Sequence, residues 1–104
     1  MAISSRKLLD AATAIGAGAA RALRRVDRTF QAIGSTSSGA GAATIVIEVS
    51  NDATNWTAIG TITLTLSTVA SNDGFASAAA WSFARPNLTA ISGTGAAVTV
   101  WVGV

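Results

Sequence analysis

The stretch ATIVIEVSNDATNWTAIGTITLTL, residues 43 to 66, decides the fold. In its first half, Ile45, Ile47 and Val49 fall on one side of an extended chain and Glu48 falls on the other. Alternation with a period of two is typical of a β-strand that has one face in a core and one face in water. The first half therefore predicts a half-buried strand.

The second half of this stretch repeats the pattern after a polar interruption. Counting by twos from Trp56 reaches Ile62, Leu64 and Leu66, while threonines fill most of the opposite positions. The alternation predicts a second strand that pairs with the first. It also places Trp56 on the core face, where its ring would anchor the packing.

The polar interruption SNDATN permits two interpretations. Asn51, Asp52 and Asn55 beside Trp56 could hold a sugar, and Asp52 could be one ligand of a calcium ion. However, a single carboxylate makes a weak cation site. Asn and Asp also favour turns, because their side chains bond the local backbone and tolerate positive φ. We favour the turn, which accounts for every residue of the segment.

The C-terminal half contains two further strands. In AAVTVWVGV the valines at alternate positions from Val98 form one face, and Trp101 points to the other, where we expect it to be exposed. WSFARPNLTAI gives the other strand, and Trp81 and Phe83 are expected in the core or in an interface. Pro86 lacks an N–H, so this strand should be an edge or carry a bulge there. Several short strands at this spacing predict an all-β, single-domain antiparallel β-sandwich.

The composition argues against an enzyme. The chain has no histidine, cysteine or tyrosine, which removes the commonest general base and a nucleophilic thiolate. Five carboxylates are scattered along 104 residues, and no two of them have a spacing that suggests acid–base chemistry. We expect no cofactor and no catalytic or metal-binding residues. Only 12% of the residues are charged, which suggests that much of the surface is covered in an assembly.

The positive charge lies near the N-terminus. Six of the seven basic residues precede residue 30, and the rest of the chain is mildly acidic. These residues, with Trp101, are our candidate partner interface: Arg6, Lys7, Arg21, Arg24, Arg25, Arg28 and Trp101. An ordinary solvated turn is the alternative. We do not expect nucleic acid as the partner, and no apolar run approaches the roughly 20 residues of a membrane span.

Three segments together resemble small structural proteins encoded among the head and tail genes of tailed bacteriophages. The segments are IVIEVSNDATNWTAIGTITL, SNDGFAS and AWSFARPNLTAISGTGAAVTVWVG. Proteins of this kind are β-sandwiches, often jelly-roll-like, and several decorate or cement a capsid. The resemblance implies a jelly-roll-like sandwich and a non-enzymatic capsid decoration or cement protein. It transfers no catalytic residue, and Ala84 and Pro86 depart from its pattern.

The resemblance also bears on residues 5 to 30, whose pattern fits either a helical stripe or a turn that leads into a strand. It favours an extended N-terminal arm that comprises residues 1–18, followed by a sandwich domain that comprises residues 19–104. We expect the arm to gain little by packing on its own domain, and so to attach the protein to its partner. That partner would be the major capsid protein or another virion subunit. The protein would form a homo-oligomer and reside in the phage head after synthesis in the host cytoplasm. The alternatives are a carbohydrate-binding module and a neck or tail component.

Overall fold

The computed structural model describes residues 5–24, 27, 29–77, 79 and 81–103. These residues form nine β-strands and no helix. The strands are β1 (Ser5–Ala12), β2 (Gly16–Ala17), β3 (Arg21–Ala22), β4 (Thr29–Ser35), β5 (Ser38–Ser50), β6 (Thr57–Leu66), β7 (Ser71–Ala76), β8 (Phe83–Thr94) and β9 (Ala97–Gly103).

The strands build two antiparallel sheets that pack face to face. The first sheet has the order β1-β9-β4-β7, and the second has the order β2-β8-β5-β6, with β3 also paired to β8. Sixteen buried apolar residues fill the space between the sheets. The prediction of an all-β antiparallel sandwich is confirmed.

The order of the strands is that of a jelly roll. If β2 and β3 are counted as one interrupted strand, the described residues form eight strands, and the first pairs with the last. The second then pairs with the seventh, the third with the sixth and the fourth with the fifth. The protein is therefore one long antiparallel hairpin rolled into two sheets. Its tip is the loop between β5 and β6, within residues 43 to 66.

The core follows the predicted alternation over most of the chain. Ile45, Ile47 and Val49 of β5 have no exposed surface. The valine face of β9 is also buried, as are Phe30 and Ala32 of β4. Each strand thus presents one apolar face to the opposite sheet, which is the main source of stability in a sandwich.

The N-terminal segment is extended, as expected, but it packs on its own domain. Residues 5 to 12 form β1, which pairs with β9 from Ser5 opposite Gly103 to Ala12 opposite Val98. The side chain of Leu8 enters the core and the residue is 4% exposed. The expectation that this segment gains little by packing on its own domain is therefore wrong. The segment buries Leu8 and gives one side of β9 a hydrogen-bonded neighbour.

Pro86 lies where the pairing of β8 is interrupted. β8 is inside the second sheet, with β5 on one side and β2 and β3 on the other. The backbone oxygen of Pro86 accepts a hydrogen bond from the Gly18 amide at 2.7 Å, in the gap between β2 and β3. Since backbone N–H and C=O of one residue point to the same neighbour in an antiparallel ladder, the missing N–H of Pro86 falls on this side. β8 is thus not an edge strand, and its register shift against β5 lies between Leu88 and Ala90, so the predicted edge or bulge at Pro86 is wrong. Pro86 instead faces the gap that separates β2 from β3.

A β-bulge in β6 changes the face on which Trp56 lies. Ile47 is opposite Gly60 but Glu48 is opposite Ala58, so Ile59 is an extra residue. One inserted residue reverses the alternation for everything that precedes it in the strand. Trp56 therefore falls on the outer face together with Glu48 and is only half-buried. The predicted position of Trp56 in the core is wrong.

Candidate functional site

Two of the candidate basic residues converge on one buried carboxylate. Asp27 is 3% exposed, and its Oδ2 is paired with the Arg6 guanidinium. The same oxygen accepts a hydrogen bond from the Arg24 amide at 2.8 Å, and Nη2 of Arg24 lies 3.5 Å from the other oxygen. Burial alone would raise the pKa of the Asp27 carboxyl, but these hydrogen bonds and positive charges outweigh it and lower the pKa. The cluster fastens β1 to the segment that follows β3.

Lys7 and Trp101 meet on the outer face of the first sheet. They are directly opposite each other on β1 and β9, and the Lys7 ammonium lies 5.2 Å from the centre of the Trp101 ring. A cation at this distance from an indole face is attracted to the ring. Trp101 faces away from the core, as predicted, but it is half-buried rather than exposed. Lys7 also makes a 3.4 Å ion pair with Asp10.

Arg21 lies apart from the Asp27 cluster, on β3 at the edge of the second sheet. Together with residues of β1 it borders an open depression of about 320 Å³ between the edges of the two sheets. The lining residues are Lys7, Leu8, Leu9, Asp10 and Arg21. Two cations and one carboxylate give this depression a modest positive charge.

The predicted interface residues thus do not form one continuous patch. Arg6 and Arg24 are engaged with Asp27, while Lys7 and Trp101 belong to the opposite side of β1. Arg25 and Arg28 lie outside the described residues. Among the described basic residues of this segment, Arg6 and Arg24 help to hold it in place through Asp27, and this use could not be seen without the position of Asp27.

The loop at the tip of the hairpin is a turn built around Asp52. Its Oδ1 accepts hydrogen bonds from the Thr54 and Asn55 amides at 2.9 and 2.8 Å, and from the Ser50 hydroxyl at 2.8 Å. The other carboxylate oxygen accepts one from the Asn55 side-chain amide at 2.8 Å. The hydrogen bonds from the Asn55 and Thr54 amides are the main reason why the pKa of Asp52 lies far below its usual range.

The same loop shows the conformation that the turn interpretation requires. Ala53 has a φ of 59°, and the side chain of Asn51 accepts a hydrogen bond from the Ser82 amide at 3.1 Å. Both oxygens of Asp52 and the side-chain oxygen of Asn51 therefore already have partners within the chain. Among the described residues, no group of three or more acidic side chains could hold a metal ion.

A cluster on the outer face of the second sheet was missed from the sequence. Arg85 of β8 is opposite Glu48 of β5, and its Nε donates a hydrogen bond to the Glu48 carboxylate at 2.8 Å. The Arg85 guanidinium also lies 4.4 Å from the centre of the Trp56 ring. The three side chains are half-buried and form a polar cluster near the end of β5 and the start of β8. Arginine and tryptophan together are frequent at the energetic centre of protein interfaces.

Phe83, which we expected in the core or in an interface, belongs to the same outer face. It is half-buried, and its neighbours Ala84 and Pro86 alternate with it into the core. Trp81 instead packs against the core from its edge. The outer face of the second sheet therefore carries two aromatic residues, Trp56 and Phe83, and one ion pair.

Compared with known protein families, with curated proteins and with solved structures, the chain has no match in any of the three. In the part of the chain that the structure describes, no helix is long and apolar enough to cross a membrane.

Proposed function

We propose that this protein is a non-enzymatic structural protein of a virion, a decoration or cement protein that binds the phage head and stabilises it. The observation that carries the proposal is the form of the sandwich. It is a slab of 39 × 34 × 17 Å with two broad outer faces. Jelly-roll sandwiches of this kind are used in viral capsid proteins and in lectin domains.

The outer faces suit contact with another protein. On the second sheet, Thr44 and Val46 of β5 lie opposite Thr63 and Thr61 of β6, which gives an uncharged surface of β-branched side chains. The two charges on this face, Glu48 and Arg85, form an ion pair and neutralise each other. Covering such a face removes little charge from water, so the desolvation cost of an interface there is small.

The charges of the described residues are mostly satisfied within the molecule. Arg6, Lys7, Arg24 and Arg85 each contact a carboxylate. A surface of this kind gives weak long-range repulsion between copies, which favours close packing of many subunits. With extents of 39 × 34 Å, each face has room for the roughly 800 Å² that one partner buries in an interface of standard size.

Repetition would supply the strength of the attachment. A cement protein bridges neighbouring capsomers at many equivalent positions, so each contact can be modest while the shell as a whole gains stability. The partners in this proposal are the major capsid protein or other virion subunits, and further copies of this chain in a homo-oligomer. The location is the phage head, after synthesis in the bacterial cytoplasm.

A carbohydrate-binding module is the second candidate, and the position of Trp56 favours it. The bulge at Ile59 turns this ring to the outer face, where aromatic rings can stack on sugars. Arg85 covers part of the ring, so a sugar would have to displace the guanidinium or use the remaining surface. A neck or tail structural role would use the same sheet faces as the decoration role.

Binding to purified phage heads tests the proposal. Heads that lack this protein are mixed with the purified chain, sedimented, and imaged by electron cryo-microscopy. We expect density for the protein at regular positions on the lattice and a higher temperature of head rupture. A chain that stays in the supernatant as a monomer, and whose tryptophan fluorescence shifts on adding glycans, would favour the carbohydrate-binding role instead.

A further inference from the structure

Strand β1 is joined to the rest of its sheet through one neighbouring strand. It is an edge strand, paired in its sheet with β9 alone, and that pairing has two register shifts, one between Lys7 and Leu9 and one between Leu9 and Ala12. Among its eight residues, only Leu8 is fully buried. A short edge strand with an irregular ladder separates from its sheet more easily than an internal strand.

The connection that follows β1 is short and strained. Three residues, 13 to 15, lead from the end of β1 in the first sheet to the start of β2 in the second sheet. Ala11, the second-last residue of β1, has a φ of 48°, which costs free energy for any residue with a side chain. Gly16, just after residues 13 to 15, has a φ of 147°. Short connections under strain favour the exchange of the preceding element between copies of a chain.

The same connection exposes a large apolar side chain. Ile15 is 66% exposed, which makes it one of the most exposed large apolar residues in the described part of the chain. If two copies exchanged β1, their connections would straighten and run side by side. The two Ile15 side chains would then lie near the crossing point and could cover each other.

We propose that β1 is exchanged between two copies of this chain, so that β1 of one copy completes the first sheet of the other. The place that β1 occupies is specific for this segment: the core takes Leu8, and Asp27 takes the Arg6 guanidinium. The occupant is thus β1 itself, from a second copy. The exchange keeps the pairing of Ser5 to Leu9 with β9 and gives up the Ala11–Thr99 and Ala12–Val98 contacts, so the chain opens from Ala11 onward and the strain of its positive φ is released.

An engineered disulfide distinguishes exchanged from closed chains. The protein has no cysteine, and Ser5 and Gly103 are direct partners on β1 and β9. Opposite residues of an antiparallel pair have Cα atoms about 4.5 to 5.5 Å apart, within the range of a disulfide. The double variant Ser5→Cys, Gly103→Cys is refolded at high concentration, oxidised, denatured and separated by electrophoresis without reductant. We expect a covalent species of twice the chain mass as the main product, which disappears on reduction.

The matched control is Ser35→Cys with Ala97→Cys. These residues are partners on β4 and β9, which stay in one chain whether or not β1 is exchanged. The control should therefore remain at the mass of a single chain under the same conditions. Dimers in both variants, or single chains in both at every concentration, would overturn the proposal.

A second measurement needs no disulfide. Ala11→Gly removes the strain of the positive φ, so the closed form is relieved and the dimer fraction measured by light scattering should fall several-fold at equal concentration. An unchanged dimer fraction in Ala11→Gly contradicts the strained-connection argument. Neither experiment uses phage heads, so the exchange can fail while the virion role stands, or stand while the virion role fails.

Discussion

Replacing Leu8 by alanine tests whether β1 belongs to the sandwich. Leu8 is 4% exposed and packs within the core, whereas Leu9, its neighbour in sequence, is half-buried. Truncation of a buried leucine costs about 2–5 kcal/mol of unfolding free energy, depending on how far the site can collapse. Leu8 is on an edge strand and borders the open depression near Arg21, so its surroundings can relax. We therefore expect a loss near the lower end, about 2–3 kcal/mol.

Urea denaturation followed by circular dichroism measures this loss, at one protein concentration and with the slope against urea compared between variants. Leu9→Ala is the matched control, because it removes the same atoms from the same strand at a half-buried position. It should cost less than about 1 kcal/mol. Equal effects of the two variants would refute the packing of β1 and would return the segment to the free arm that the sequence suggested.

Three further predictions concern the outer face, the buried carboxylate and the bulge. In a double-mutant cycle of Trp56→Ala and Arg85→Ala, the stacked pair should show a coupling of about 0.5–1 kcal/mol, and zero coupling would mean that the stacking contributes nothing. Since the pKa of Asp27 is lowered in the folded state, its stabilisation is present above the unfolded value near 4 and is lost as the pH falls through the folded value. Asp27→Asn should therefore destabilise the protein at pH 7, and in urea denaturation the gap from the parent should shrink below about pH 4; a constant gap down to pH 2 argues against this account. Gly60→Ala should cost about 1–3 kcal/mol, because the new Cβ would lie 2.5 Å from Cζ of Phe75, and Phe75→Leu in the same chain should recover part of the loss measured by thermal unfolding.

The regular strands were predictable from the sequence because their alternation is unbroken. In β5 from Ala43 to Val49, and in β9 from Val98 to Val102, every second residue is an aliphatic core residue, and the structure buries those residues. In β6 the alternation holds from Leu66 back to Ile62. At Ile59 one extra residue enters the ladder, and its presence depends on the partner strand rather than on β6 itself. The position of Trp56 therefore could not be derived from its own segment.

The N-terminal strand could not be predicted from the sequence for a related reason. Its two register shifts break the period, so the segment shows neither clear alternation nor a clear helical stripe. The predicted interface was also incomplete, because the sequence does not show which distant residues the paired strands bring together. Arg6 and Asp27 are 21 positions apart, and Arg85 and Glu48 are 37 positions apart, so both ion pairs follow from how the strands are placed and not from local spacing. A search for basic clusters finds the arginines but not the carboxylates that engage them.

The rolled-hairpin arrangement has a consequence for how fast the protein folds. The pair formed by β5 and β6 needs only the closing of a short loop, whereas the pair formed by β1 and β9 joins Ser5 to Gly103, across almost the whole chain. Loop closure becomes more costly with length, and chains dominated by distant pairings fold slowly. The hairpin tip around Asp52 is thus the natural starting point of folding, and pairing should spread from it strand by strand. β1 would be the last strand to find its place, and until then β9 stays open to the first strand of any chain nearby.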